Sequence, residues 1–197
     1  MKRLWLLLLL AGLLAAAAGL WSRWLLHPQE AAQAPETAEP AVVVEDRDVL
    51  LYYATSDGLA LASFSAKIAG CEQEVDCMQN LLGRLAEGPG AAGGDLTPVL
   101  PAGTRVLGVA VDGDLAEVDF TRTLLDAHPG GSRSELLTVY GIADTLAVNF
   151  PWLRQVRIKV EGNPVDTIKG HVDLRLPVVP DFRLVRRQGE GTGADAG

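Results

Sequence analysis

Four carboxylates lie close together around one predicted turn, and they are the densest group of chemically capable side chains. Asp112 and Asp114 flank Gly113, and Glu117 and Asp119 follow at alternate positions. Residues two apart on a strand point to the same side, so Glu117 and Asp119 could form the carboxylate pair of a glycosidase. Asp112 and Asp114 faintly resemble a calcium loop, but the other ligand positions are absent. We interpret the group as a solvated turn and the polar face of a strand.

The histidines and serines do not form a catalytic set. His27, His128 and His171 are far apart, and none has a second ligand at metal-binding spacing. Ser132 is followed three residues later by Glu135, which is the spacing of a capping box at the start of a helix. We therefore predict surface or loop histidines, a helix cap at Ser132, and no catalytic residue, metal or cofactor.

Cys71 and Cys77 are the only cysteines of the chain. One regular helix would hold residues at this spacing too far apart along its axis to be bridged. A disulfide is feasible if Cys71 lies in the loop that enters a helix and Cys77 lies in its early turns. A structural disulfide is the favoured interpretation, and two free buried thiols are the alternative. A redox or metal site would need a further cysteine or histidine nearby.

The N-terminal residues have the pattern of an export segment. Residues 1–3 form a short positive leader, and residues 4–21 are uncharged. This run is close to the roughly 20 residues that span the hydrocarbon core of a bilayer, and tryptophans near its end suit the membrane interface. We predict an uncleaved signal-anchor over residues 1–26, with the rest of this single-pass bacterial membrane protein outside the cytoplasm. Cleavage within residues 15–19, which would give a secreted product, is the alternative.

Beyond the export segment, composition predicts one folded unit. Residues 27–47 are rich in proline, alanine, glutamine and glutamate, and predict a flexible linker. The same reasoning predicts a disordered tail over residues 186–197, which leaves a folded domain at residues 48–185. The net charge of -8 and the pI near 4.8 argue against nucleic-acid binding and against electrostatic adhesion to anionic lipids.

Hydrophobic periodicity predicts the elements of this domain. Strands are expected at residues 49–53, 59–64, 105–111, 115–120 and 156–160, with a short last strand at 171–174. One helix is expected to end at Gly88, and another to begin at Ser132 and stop at Pro151. Each helix has one apolar face to bury. The pattern therefore predicts an α+β fold, with two helices on one face of a mixed, mostly antiparallel sheet.

Several short segments recur in an order that is typical of one family. They are Val49-Leu50-Leu51-Tyr52-Tyr53, Leu85-Ala86-Glu87-Gly88-Pro89, Leu100-Pro101-Ala102-Gly103-Thr104, Ala116-Glu117-Val118-Asp119-Phe120, Asp144-Thr145-Leu146 and Val156-Arg157-Ile158. Over residues 49–176 the chain resembles the GerMN domain, the sporulation and spore-germination domain of exported bacterial proteins. The resemblance implies a ring-building-motif-like fold and an envelope role without established catalytic residues. Cys71 and Cys77 are not part of the family pattern.

Together these features predict a non-catalytic, membrane-anchored interaction domain of the bacterial envelope. Its expected partners are envelope proteins, with peptidoglycan contact and self-association left open, and without nucleic acid. One alternative is a peptidoglycan-acting enzyme that uses Glu117 and Asp119. Another is an accessory domain that binds calcium or a small ligand.

Overall fold

The computed structural model describes residues 45–186 of the chain. The predicted membrane segment, nearly all of the predicted linker and nearly all of the predicted tail lie outside the described residues. Within the described range, none of the helices combines the length and the apolar character of a membrane span.

The first sheet is a hairpin of two long strands. Strand β1 (Arg47–Ala54) pairs antiparallel with β2 (Leu61–Ile68). Between them, the Thr55 hydroxyl donates to the Asp57 carboxylate, and Gly58 has a positive φ of 65°. A side-chain acceptor followed by a left-handed glycine is typical of a tight turn.

The second sheet has four strands in the order β3-β4-β5-β6. These are β3 (Val106–Asp112), β4 (Leu115–Phe120), β5 (Gln155–Val160) and β6 (Asn163–Pro164). The β3/β4 hairpin turns at Gly113, which has a φ of 60°. Strand β5 lies parallel to β4, because a long helical connection returns the chain to the same edge, and β6 pairs antiparallel with β5.

Within residues 45–186, three α-helices connect the strands: α1 (Glu74–Glu87), α2 (Thr123–Asp126) and α3 (Ser132–Asn149). Short 3-10 turns cover Ala91–Gly93 and Phe182–Leu184. Helix α1 ends at Gly88, where φ is 82°, and α3 ends immediately before Phe150 and Pro151. Both ends agree with the prediction. Helix α2 was not predicted, because four residues are too few to show a helical period.

The core lies between the helices and the inner faces of the sheets. Helix α3 packs on β1, and α1 packs on β3 and contacts α3. On β4 the inward residues Ala116, Val118 and Phe120 are completely buried, while Glu117 and Asp119 point to the other face. The fold is α+β and its larger sheet is mixed, which confirms the predicted class. The strands are divided between two sheets.

The strand predicted at residues 171–174 is wrong. The N–H of Leu174 donates to the carbonyl of Asp166, while the N–H groups of His171 and Val172 donate to the side chain of Glu135. A segment whose amides are already used in this way cannot extend a ladder. It forms a loop instead.

Cys71 and Cys77 are joined by a disulfide, with their Cα atoms 5.3 Å apart. Cys71 lies in the loop before α1, and Cys77 lies in the first turns of that helix, where it is buried. The bridge therefore fixes the loop to the helix that it enters.

Reducing this disulfide is expected to lower the free energy of unfolding by about 2 kcal/mol, because the short closed loop gains freedom mainly in the unfolded chain. The test is thermal unfolding of the full-length protein in detergent, with and without reductant. The double variant Cys71→Ser with Cys77→Ser should match the reduced protein and should not respond to reductant. An unchanged melting temperature of the wild-type protein on reduction would contradict this role.

Candidate functional site

The two carboxylates proposed for hydrolysis lie on the outer face of β4, and both are engaged. One oxygen of Glu117 accepts from Arg157 Nη1 at 2.7 Å, and the other from Lys159 Nζ at 3.4 Å. Both oxygens of Asp119 accept from the N–H of Gly162, at 3.0 and 2.9 Å. Since β5 runs parallel to β4 in register, it places Arg157 beside Glu117 and Lys159 beside Asp119. The arrangement is a cross-strand charge network.

The electrostatics of this network do not suit acid catalysis. The hydrogen bond from Arg157 is the main cause that lowers the pKa of Glu117. A glycosidase acid must instead have a raised pKa, so that it carries a proton at neutral pH. Asp112 and Asp114 are exposed in the hairpin turn, and residues 45–186 contain no group of three or more side chains arranged to hold a metal ion. The geometry therefore favours neither alternative based on these carboxylates.

His128 lies in a loop, as expected, but it is buried and not at the surface. The Thr138 hydroxyl donates its proton to the carbonyl of Val99 at 2.6 Å, so the Nε2–H of His128 must donate to that hydroxyl, at 3.0 Å. Nδ1 in turn accepts the N–H of Gly130. Burial lowers the pKa of His128, which agrees with a neutral ring that fastens the loop to α3. The site is structural.

Glu135 has a role that its sequence context concealed. The N-cap of α3 is Gly131, and no side chain caps this helix, so the predicted capping box is wrong. The Glu135 side chain is completely buried and accepts from the hydroxyl of Thr167 at 2.6 Å. It also accepts from three backbone N–H groups at 2.9–3.2 Å, those of Ile168, His171 and Val172. Glu135 therefore holds the loop of residues 167–172 against the start of α3.

Asp144 is a second buried carboxylate that sequence reasoning did not single out. It lies in α3 beneath the C-terminal segment, where its Oδ1 accepts from the N–H of Asp181 at 2.8 Å. Its Oδ2 has no partner among the described residues. Burial raises its pKa to about 6. Beside this contact, the Phe182 ring meets the Tyr52 ring edge-on, so the segment is fastened across β1.

The edge of the four-stranded sheet is the best-formed candidate for an interaction site. Among residues 45–186, β3 pairs with β4 alone, so the polar backbone groups on its other side have no strand partner. Residues 106–111 contain neither a charge nor a proline, the usual devices that protect such an edge. Only a bulge between Val106 and Gly108 interrupts its pairing. We call residues 106–112 the β3 edge.

Apolar side chains accompany the open backbone of the β3 edge. Leu107 is 49% exposed and Val111 is 36% exposed. The ends of the edge carry opposite charges, because Arg105 precedes the strand and Asp112 ends it. An open backbone with apolar side chains between unlike charges is suited to pairing with another extended strand.

The described site lies within a sequence match to a known family. The family model named Germane, described as "Sporulation and spore germination", matches residues 50–166, which is more than half of the chain. The chain belongs to the Germane family. The match contains the β3 edge, the disulfide and Glu135, whereas the loop that Glu135 holds lies immediately beyond it.

Solved structures align with this Germane chain at low sequence identity. The tandem GerMN domains of the sporulation protein GerM from Bacillus subtilis align with a TM-score of 0.51 and 18% identity, over 70% of this chain and 46% of that chain. The first GerMN domain alone aligns with a TM-score of 0.50 and 18% identity, over 69% and 96%. A candidate lipoprotein from Clostridium perfringens aligns with a TM-score of 0.49 and 24% identity, over 68% and 87%. No curated protein sequence matches the chain.

The comparisons confirm the GerMN resemblance drawn from the ordered sequence segments. This Germane chain spans about half of the tandem GerM structure and nearly all of its first domain. The relatives therefore show the fold alone, and the side chains of this chain determine what it can bind.

Proposed function

We propose that this Germane-family chain is a non-catalytic interaction domain of the bacterial envelope. In this proposal residues 1–26 anchor it in the cytoplasmic membrane, and the domain outside the cytoplasm binds a protein by adding a strand to the β3 edge. The observation that carries the proposal is the exposed edge of the four-stranded sheet, whose residues 106–111 carry no charge. The pattern of residues 1–26 supports the location.

Strand addition explains why this edge is apolar. A paired strand satisfies the open N–H and C=O groups of the β3 edge. It also removes the exposed apolar side chains of the edge from water, which is favourable. The same features would cause nonspecific aggregation of a free chain. We infer that the edge is kept open because a partner covers it.

The charges at the ends of the β3 edge favour a second copy of this chain as that partner. An antiparallel register centred on Val109 places Leu107 of each copy opposite Val111 of the other. It also brings Arg105 of each copy near Asp112 of the other. A parallel copy would instead place like charges together, which is destabilising. The pairing would join two four-stranded sheets into one.

Val111→Lys is expected to weaken association of the full-length protein in detergent by at least about tenfold, because pairing would bury an uncompensated charge. The measurement is the dimer dissociation constant from analytical ultracentrifugation. Val179→Lys is the matched control, since Val179 is 65% exposed in the C-terminal segment, outside the β3 edge.

A charge exchange makes this test specific for the register. Arg105→Asp and Asp112→Arg should each weaken association, and the double variant should restore it, because only the antiparallel pairing brings these residues together. Equal dissociation constants for Val111→Lys and Val179→Lys would contradict the β3 edge as the contact. A double variant no better than either single variant would contradict the antiparallel register.

A further inference from the structure

We infer that a cleft beside helix α1 binds an anionic ligand that also carries hydroxyl or amide groups. The cleft lies between the end of β2, the exposed side of α1 and the start of β3, and it has a volume of about 590 Å³. We call it the α1 cleft. Its polar lining is formed by Lys67, Gln79, Asn80, Arg84, Glu87, Thr104 and Arg105.

Positive charge is concentrated in the α1 cleft although the chain as a whole is acidic. Lys67, Arg84 and Arg105 line it with one carboxylate, Glu87, whereas the net charge of the chain is -8. Cations that share a concave surface reinforce one another and attract anions from solution. The α1 cleft is therefore a local exception to the charge of the protein.

One of these cations is held in place before any ligand arrives. Arg84 Nη1 donates to the carbonyl of Gly88 at 2.7 Å and lies 3.8 Å from a carboxylate oxygen of Glu87. Its guanidinium carbon also lies 5.8 Å from the centre of the Phe64 ring. A fixed guanidinium loses little conformational entropy on binding an anion, which is the advantage of a preorganised site.

The other two cations are more available. Lys67 Nζ has only a surface contact of 3.7 Å with Asp48, and exposed pairs of this kind are weak. Arg105 makes no ion pair with any other residue of the range 45–186. Two cations without strong partners and one fixed cation can therefore converge on an anion in the α1 cleft.

Neutral polar groups complete the α1 cleft. Gln79 and Asn80 present side-chain amides from successive positions of α1. Thr104 is buried at the wall of the cleft, and its hydroxyl has no hydrogen-bond partner among the described residues. The oxygen is itself shielded from solvent, so a ligand bonds to it only where the wall of the cleft yields, and that bond would relieve the cost of a buried hydroxyl without a partner.

The lining selects a chemical class of ligand. The volume is within the range of small-molecule sites, and the cations and amides disfavour an apolar occupant. A carboxylate on a sugar peptide and a phosphate on a polyol both offer an anion beside hydroxyl or amide groups. The shared chemistry is an anion on a hydroxylated or amide-bearing scaffold. This inference does not depend on strand addition at the β3 edge.

Calorimetric titration of the full-length protein in nonionic detergent tests the α1 cleft. The probes are muramyl dipeptide, which supplies the carboxylate, tri(glycerol phosphate), which supplies the phosphate, and triacetylchitotriose, which is neutral. We expect at least one anionic probe to bind, with an affinity that falls as salt rises, and the neutral sugar not to bind. The stronger of the two anionic probes identifies the source of the anion.

Three variants locate the binding within the α1 cleft. Lys67→Glu should weaken the affinity for the probe at least about tenfold. Lys169→Glu should leave the affinity unchanged, because it makes the same charge change in an exposed loop outside the cleft. Thr104→Val should weaken it about fivefold without loss of thermal stability, because the lost hydroxyl has no partner in the described fold.

The inference is overturned if neither anionic probe binds, if the neutral sugar binds equally well, or if Lys67→Glu and Lys169→Glu have the same affinity. If Thr104→Val binds the probe as tightly as the wild-type protein, the Thr104 hydroxyl does not contact the ligand. Because the readout is ligand affinity, failure here is distinguishable from failure of association through the β3 edge.

Discussion

Glu135→Ala is expected to lower the free energy of unfolding by at least about 3 kcal/mol, the largest effect that we predict for a single substitution. The Glu135 carboxylate is completely buried and accepts hydrogen bonds from the loop of residues 167–172. Removing it leaves one hydroxyl and three backbone N–H groups without an acceptor, and each buried unpaired group costs about 1–3 kcal/mol unless water reaches it.

Acidification should remove the stability that the Glu135 carboxylate contributes. Burial alone would raise the pKa of Glu135, but the hydrogen bonds from Thr167 and from the backbone N–H groups of Val172 and Ile168 outweigh it and lower the pKa to about 2. A carboxyl group whose pKa is lower in the folded chain than in the unfolded chain stabilises the fold above the unfolded value. The stability due to Glu135 is therefore complete above about pH 4.5 and is lost as the pH falls towards 2.

Denaturant unfolding of the full-length protein in detergent, at pH 7 and at pH 3, measures both effects. Glu74→Ala is the matched control, because Glu74 also lies in the first turn of a helix but is exposed. It should cost less than about 1 kcal/mol through the helix dipole. The role of Glu135 as the buried acceptor for the loop of residues 167–172 is contradicted if Glu135→Ala and Glu74→Ala are equally stable at pH 7.

Asp144→Asn is expected to have the opposite sign and to stabilise the protein at pH 7 by about 1–2 kcal/mol. Burial raises the pKa of Asp144 from 3.8 to about 6, because the single N–H of Asp181 does not replace the lost water. That difference corresponds to about 3 kcal/mol of destabilisation at neutral pH. Part of the gain is lost, because one amide group of asparagine would also lack a partner in the described fold.

The pH dependence of stability should reveal the destabilising effect of the ionised Asp144 carboxylate. An acid whose pKa is raised by folding destabilises the fold when it is ionised, so the contribution of Asp144 to the stability of the wild-type protein should fall as the pH rises from about 3.8 to about 6. In Asp144→Asn that part of the pH dependence should be absent. Asp95→Asn, in an exposed loop, is the control and should keep the wild-type curve. If the curves of Asp144→Asn and wild type are parallel between pH 4 and 6, Asp144 is not the group that titrates.

Local pattern predicted most elements of this fold. The end of helix α1 and the β3/β4 hairpin are determined by residues close together in the sequence, and each was predicted within about one residue. The capping box failed because the spacing of Ser132 and Glu135 is local, whereas the donors to Glu135 lie 32–37 residues away. No local pattern records those partners. A buried glutamate in the first turn of a helix is the only signal, and burial is a property of the complete fold.

The candidate site was predicted in part. The hairpin pattern of residues 105–120 predicted a strand at residues 105–111, but its place at the edge follows from the parallel pairing of β4 with β5, which depends on the path of α3. Glu117 and Asp119 were correctly placed on one outer face. Their engagement by Arg157 and Gly162 comes from elements about forty residues away. Sequence spacing therefore identified the strands and not their neighbours.

Photo-crosslinking in living bacterial membranes tests the proposed function most directly. A photoreactive phenylalanine replaces Val111 in full-length protein expressed as two differently tagged copies, and Val179 is the control position. We predict an adduct that carries both tags from position 111 and none from position 179. An adduct from position 111 with another envelope protein alone would keep strand addition but reject the second copy. If positions 111 and 179 give the same products, or position 111 gives none, the β3 edge is not the interaction site.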